Sequence, residues 1–90
     1  MNRIVVTIIG MDMIGIIGKV CNYFAINGNN ITDIAQTTLN DIISMIMIVD
    51  VEPTDDKMKE IRKDLERISK DIGCIITVVK YDELKILAEA

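Results

Sequence analysis

The sequence predicts an α+β fold with element order β-α-β-β-α-β, and three observations carry that prediction. Short runs rich in β-branched residues alternate with longer segments. The longer segments place apolar residues at spacings of three and four. Glycine or asparagine stops punctuate the joins. With right-handed crossovers, this order puts both helices on one face of a four-stranded antiparallel sheet, strand order 4-1-3-2. That arrangement is the ferredoxin-like sandwich.

Each element has its own signal. Arg3-Ile-Val-Val-Thr-Ile-Ile9 is dominated by β-branched residues and reads as the first strand. From Ile14 to about Ile26, the residues Ile16, Ile17, Val20, Cys21, Phe24 and Ala25 recur at helical spacing. Asn27-Gly28-Asn29 stops that helix, with Gly28 suited to a left-handed cap. Ile31 to Leu39 reads as the second strand, and its alternation slips between Ile31 and Ile34, which predicts a bulge near Thr32-Asp33. Asn40-Asp41 forms a hairpin turn into a third strand, Ile42 to Val51, that is apolar on both faces for most of its length.

Pro53 and Thr54 open the second helix, with Thr54 or Asp55 as its N-cap. Met58, Ile61, Leu65, Ile68 and Ile72 form one apolar stripe along it. The intervening Lys57, Lys59, Glu60, Arg62, Lys63, Glu66 and Lys70 read as a solvated face. Gly73 ends this helix, and Cys74 to Tyr81 reads as the fourth strand. Residues 82–90 read as a short terminal helix whose Leu84 and Leu87 pack on the domain or on a partner.

Composition narrows the function. Ninety residues make a single domain, 1–90, with residues 82–90 as a short C-terminal extension. Half the residues are hydrophobic, yet the aromatics are only Tyr23, Phe24 and Tyr81, so the core is aliphatic. A net charge of −4 argues against nucleic acid, whose binding relies on Lys and Arg neutralising phosphates. The three aromatics offer no stacking platform for single strands. Cys21 and Cys74 lie far apart and form neither a CxxC motif nor a disulfide framework; each reads as a small buried hydrophobe. The chain has no His, the commonest acid–base and metal-binding side chain. No cofactor or metal is expected. There is no signal-peptide pattern and no apolar run long enough to span a bilayer, so a soluble cytoplasmic protein is expected, with no membrane partner.

One sheet face in such a sandwich packs on the helices, and the other normally meets water and is polar. Here the outer positions stay apolar. Ile42, Ser44, Ile46 and Ile48 oppose Ile43, Met45, Met47 and Val49 in the third strand. Val5, Thr7 and Ile9 oppose Ile4, Val6 and Ile8 in the first, and Ile75, Thr77 and Val79 oppose Ile76 and Val78 in the fourth. A surface of that kind marks an interface, which predicts a homodimer or higher oligomer, paired by face or by edge. A small chain also gains from the extra burial.

The fold hosts many functions, so the site must choose among them. The first strand-to-helix join, Gly10-Met11-Asp12-Met13-Ile14-Gly15-Ile16, offers glycines that admit a close approach. It also offers the free N–H groups of a helix start and one carboxylate. The N–H groups suit a carboxylate ligand and Asp12 an ammonium group, so the corner suits an amino acid. The same residues also serve a plain tight turn with Asp12 as helix cap. A metal chaperone of this fold would carry a CxxC pair in this loop, and an acylphosphatase-like enzyme an arginine there; neither is present. Met11 and Met13 are a weak soft-metal signal at this spacing.

Gly10 to Ile16, followed by a helix and by Asn27-Gly-Asn-Asn-Ile-Thr-Asp-Ile34, resembles an ACT domain. The strings Gly-x-Asp-x-x-Gly-Ile and Asn-Ile-x-Asp-Ile-x-Gln, met by Gly10–Ile16 and Asn30–Gln36, are similar to stand-alone ACT proteins of the UPF0237 type, related to the glycine-cleavage repressor. The resemblance spans Arg3 to Tyr81, and it departs from the commoner pattern in having Ile14 where proline often precedes the glycine. It implies a regulatory domain that binds an amino acid or similar metabolite between the first loop of one subunit and neighbouring elements of another. Carried over by residue, Gly10, Met11, Asp12, Met13, Ile14, Gly15 and Ile16 would form the loop wall, and Asn30 and Ile31 would close the pocket. Asp33 and Gln36 are the next polar candidates.

The reading is an allosteric sensor acting through a homo-oligomer, with a separate protein partner that reads its state. The alternative is a non-ligand-binding adaptor whose sheet is a docking surface. No nucleophile stands beside an evident base, so an enzyme is not expected.

Overall fold

The structure, a computed structural model, describes residues 2–11 and 14–89. Its elements are β1 (Arg3–Gly10), α1 (Ile14–Ile26), β2 (Asn30–Leu39), β3 (Ile42–Asp50), α2 (Asp55–Ile72), β4 (Ile75–Lys80) and α3 (Tyr81–Glu89). The sheet order is β2-β3-β1-β4, antiparallel throughout, as the sequence predicts. The strand limits differ from expectation by a residue or two at several ends, where fraying makes boundaries soft.

The core forms where period-2 strands meet period-3.6 helices. Ile4, Val6 and Ile8 of β1 and Met45, Met47 and Val49 of β3 alternate onto one face and are sealed from water. Ile16, Val20 and Phe24 of α1 join Met58, Ile61 and Leu65 of α2 over them. Both helices therefore cover the same side of the sheet. Phe24 is the one aromatic ring fully inside, and the half-buried Tyr23 stands edge-on to it at 5.1 Å between centroids.

Local chemistry ends the elements where expected. Thr54 caps α2, its side chain accepting from Lys57 N at 3.2 Å. Gly73 closes the same helix at φ 80, in the left-handed region, with its N–H donating to Ser69 O. The register of β2 on β3 shifts between Ile31 and Asp33, leaving Thr32 as the bulged residue. Its Oγ1 donates to Ile48 O across the bulge.

The outer sheet face follows the predicted alternation. Ile9, Ile42, Ile46 and Ile75 are exposed on it, and Val5 is buried between its register partners Ile48 and Val79. The Thr7 and Thr77 hydroxyls, register partners, hydrogen-bond to each other there. α3 packs against β1 and β4, and Arg3 lies over the Tyr81 ring at 6.0 Å. Leu84 is about half exposed, and Ile86 and Leu87 are more so.

Helix α1 is tied to α2 by Tyr23 Oη, which donates to Asp64 Oδ2 at 2.7 Å. Burial, then the hydrogen bond to Asp64, holds the Tyr23 phenol well above its ordinary value of 10.0. The unfolded chain therefore loses this proton first as the pH rises. The stability the phenol contributes is complete below about pH 10 and is lost as the pH climbs through the raised folded value. Urea unfolding of Tyr23→Phe between about pH 9 and 11 is expected to show a shallower alkaline loss than the wild-type chain.

Glycines give a second test. A Cβ at Gly73 would meet no atom within 4 Å, so Gly73→Ala is penalised only through its positive φ, by about 1 kcal/mol. Gly18 lies inside α1 with equally open space and no positive φ, so Gly18→Ala is expected to stabilise by roughly 0.5–1 kcal/mol. Opposite shifts in urea midpoint at constant slope check both.

Candidate functional site

The corner between β1 and α1 is built by the end of an inner strand. Gly10 lies in register with Ile43, at the edge of the sheet where β3 has just begun. Met11 follows as an exposed bend. Asp12 and Met13 lie outside the described residues, and α1 begins at Ile14. Gly15 is exposed, its φ is not left-handed, and a Cβ there would meet nothing within 4 Å. The described chain therefore has no steric or conformational need for glycine at 15. Ile16 is different: its side chain is 1% exposed and belongs to the core, so it reaches the corner only through its backbone.

The electrostatics of this helix start differ from those of the other two helices. Asp55 and Asp56 occupy the first turn of α2, and Asp82 and Glu83 that of α3, where carboxylates offset the positive end of the helix dipole. The first turn of α1 holds no acidic residue. Its leading N–H groups can receive an anionic group from outside the helix.

The remaining predicted residues lie elsewhere. Asn30 is in register with Asp50, which pairs in turn with Arg3, whereas Gly10 pairs with Ile43. Seven register steps thus separate the two rows, about 24 Å along the strands. Within one chain, Asn30 and Ile31 stand at the opposite end of the sheet from the corner. Asp33 pairs with Ile48 on the outer face, and Gln36 with Met45 on the helix-covered face, so those two side chains diverge. Both are exposed on edge strand β2.

Two contacts were not legible in the residue pattern. Arg62, assigned above to a solvated face, donates through Nε and Nη2 to Val78 O at 3.2 and 2.9 Å, so it clasps the backbone of edge strand β4. Lys80 reaches Asp55 at 3.3 Å along the same seam. Neither pairing has a sequence signal, because the partners are brought together only by the crossover from α2 to β4. A shallow depression of about 290 Å³ lies on this seam, lined by Arg62, Leu65, Glu66, Ser69, Ile76, Thr77 and Val78. Its carbonyl acceptor is already occupied by the guanidinium. Cys21 and Cys74 are both free and half-buried against the core, and burial pushes the Cys74 thiol up, away from the reactive thiolate. Among the described residues, no group of three or more His, Cys, Asp or Glu is placed to hold a metal ion. No helix among them is long and apolar enough to cross a membrane.

Comparison with known proteins agrees with this architecture. A family model described as ACT domain matches residues 2–79, which leaves all of α3 beyond it. A UPF0237 protein of Pyrobaculum aerophilum is 35% identical over 85 residues, 94% of each chain. Among solved structures, an ACT domain protein from Streptococcus pneumoniae superposes with a TM-score of 0.74 at 27% identity, covering 86% of both chains. A protein named for transcriptional repression of the glycine cleavage system superposes at 0.71 over 86% of this chain and 44% of its own; at 18% identity that likeness speaks for the fold alone. The sandwich topology, the family match and the full-length relatives converge: this chain belongs to the ACT domain family, regulatory domains that bind small molecules, and within it to the UPF0237 type.

Proposed function

We propose that this ACT domain binds an amino-acid-type small molecule at the Gly10–Gly15 corner and acts as a cytoplasmic allosteric sensor through a homo-oligomer, not as an enzyme. The observation that carries the reading is the start of α1. It lacks the acidic first-turn residues of α2 and α3, and Gly15 leaves free space that the described residues do not require. A ligand carboxylate placed there would accept from the leading N–H groups. Asp12 is assigned to the ammonium group from its place in the loop. Met11, Met13 and Ile14 would supply the apolar wall, with Gly10 and the Ile16 backbone completing it.

The 24 Å or so between the corner and the Asn30 end gives the oligomer a role. If Asn30 and Ile31 close the pocket, they belong to a second copy. Ligand affinity then differs between oligomer arrangements, and that difference is the signal a separate protein partner would read. Asp33 and Gln36 diverge to opposite faces, so one ligand on one chain would meet at most one of them.

Thermal unfolding against the common amino acids and related metabolites tests this. A binding ligand at about 100 times its Kd is expected to add roughly 2.7 kcal/mol of stability to the wild-type chain. Asp12→Ala and Gly15→Ala are expected to lose that response. Gly15→Ala is the sharper variant, since its methyl group meets nothing among the described residues and helix propensity favours it. No shift from any compound at millimolar concentration would favour the adaptor reading, for which the apolar outer sheet face is the supporting observation.

A further inference from the structure

We propose that the side chain of the ligand lies at Gly10 on the helix-covered face of the sheet, between Ile43 and Cys74, and that this row selects an amino acid with a short, uncharged aliphatic side chain. The proposal rests on the amino-acid reading above and names the part of the site that chooses among amino acids. Neither Ile43 nor Cys74 belongs to the first-loop motif. They reach it from β3 and from the join between α2 and β4.

Register brings the three residues together. Gly10 pairs with Ile43 on one side. On the other, Ile9 pairs with Ile75, so the next antiparallel step sets Cys74 abreast of Gly10. Alternation puts this row on the face of buried Ile8 and Met45, while Ile9 and Ile75 are exposed on the opposite face. Ile43 and Cys74 accordingly pack against the core. Two strand spacings, about 9.6 Å, separate them, and Gly10 sets no side chain between them. The row therefore has a gap one side chain wide. Its Cys74 wall is fixed to α2, because the Cys74 N–H donates to Ser69 O at 3.1 Å. One row deeper, about 6.8 Å along the strand, Ile8 is 0% exposed and closes the gap to a long side chain.

Burial and charge say what fits. Ile4, Val6 and Ile8 of β1 and Met45, Met47 and Val49 of β3 are at most 1% exposed, whereas Ile43 and Cys74 are only half-buried. The apolar face thus loosens at the row nearest the start of α1. Apolar walls left partly in water have surface still to bury, and an aliphatic group would bury it. Neither wall carries a charge, and burial pushes the Cys74 thiol up, which keeps it neutral. A charged side chain set there would lose its hydration and gain no partner. With the ligand carboxylate on the leading N–H groups of α1 and its ammonium group at Asp12, the third substituent is the one left for this row.

Calorimetric titration of the full chain with L-valine, glycine, L-aspartate and L-lysine tests the proposal. L-Valine is expected to bind about 10-fold or more tightly than L-aspartate or L-lysine. Cys74→Leu extends a wall into the gap and is expected to weaken L-valine by about 10-fold or more while leaving glycine within about 2-fold. Charged and aliphatic amino acids that bind alike, or a preference untouched by Cys74→Leu, overturn the row and leave the amino-acid reading standing. Failure of every amino acid to bind overturns both. Should the leucine unfold the chain, alkylation of the wild-type chain decides. Iodoacetamide labelling read by mass spectrometry compares Cys74 with Cys21, midway along α1 and about 10 Å from its start. L-Valine is expected to slow labelling at Cys74 by about 5-fold or more and to leave Cys21 unchanged. Slowing of both thiols alike, or of neither, overturns the proposal.

Discussion

The structure depends on burying one face of two strands. β1 and β3 are the inner pair, and their alternate residues Ile4, Val6, Ile8, Met45, Met47 and Val49 are closed off beneath α1 and α2. A one-residue slip of either strand would turn this row outward and the opposite row inward. The helices tolerate no such exchange, because Phe24, Ile61 and Leu65 fill the space above that row. Register, helix placement and the direction of the Gly10 corner all follow from this burial. A nearly aromatic-free core achieves it with flexible Met and branched Ile and Val, which fill gaps without the fixed geometry of rings.

Most of the fold was readable because several local signals agreed at each position. The stripe of Met58, Ile61 and Leu65 faces inward as its spacing requires, and Thr54 and Gly73 bound it. The slip between Ile31 and Ile34 became a register shift with Thr32 in excess. What stayed hidden were relations between distant residues. The separation of Asn30 from Gly10 within one chain, seven register rows, has no signal in the residue pattern. Ile16 belongs to the loop motif by position and to the core by helical phase, and phase decides where its side chain goes. Arg62 looks like a surface residue until its partner, a strand carbonyl, is placed beside it, and the pairing of Tyr23 with a carboxylate on another helix has no local signal either.

The corner and the outer face illustrate two ways in which a chain departs from what its own fold demands. Gly15 is smaller than its surroundings need, and Ile46 is more apolar than its exposure warrants. A monomer of this fold would be at least as stable with alanine at the first and a polar residue at the second. In the function proposed above, the first departure leaves room for a small molecule.

The guanidinium clasp on β4 also bears on how large an assembly can grow. A sheet with two open edges can add copies head to tail, β2 of one against β4 of the next, and such contacts repeat into filaments. Arg62 fills a backbone acceptor on β4, held there from a helix that cannot leave without opening the core. An incoming strand along β4 would therefore find the Val78 carbonyl already taken, so this edge makes the poorer template of the two.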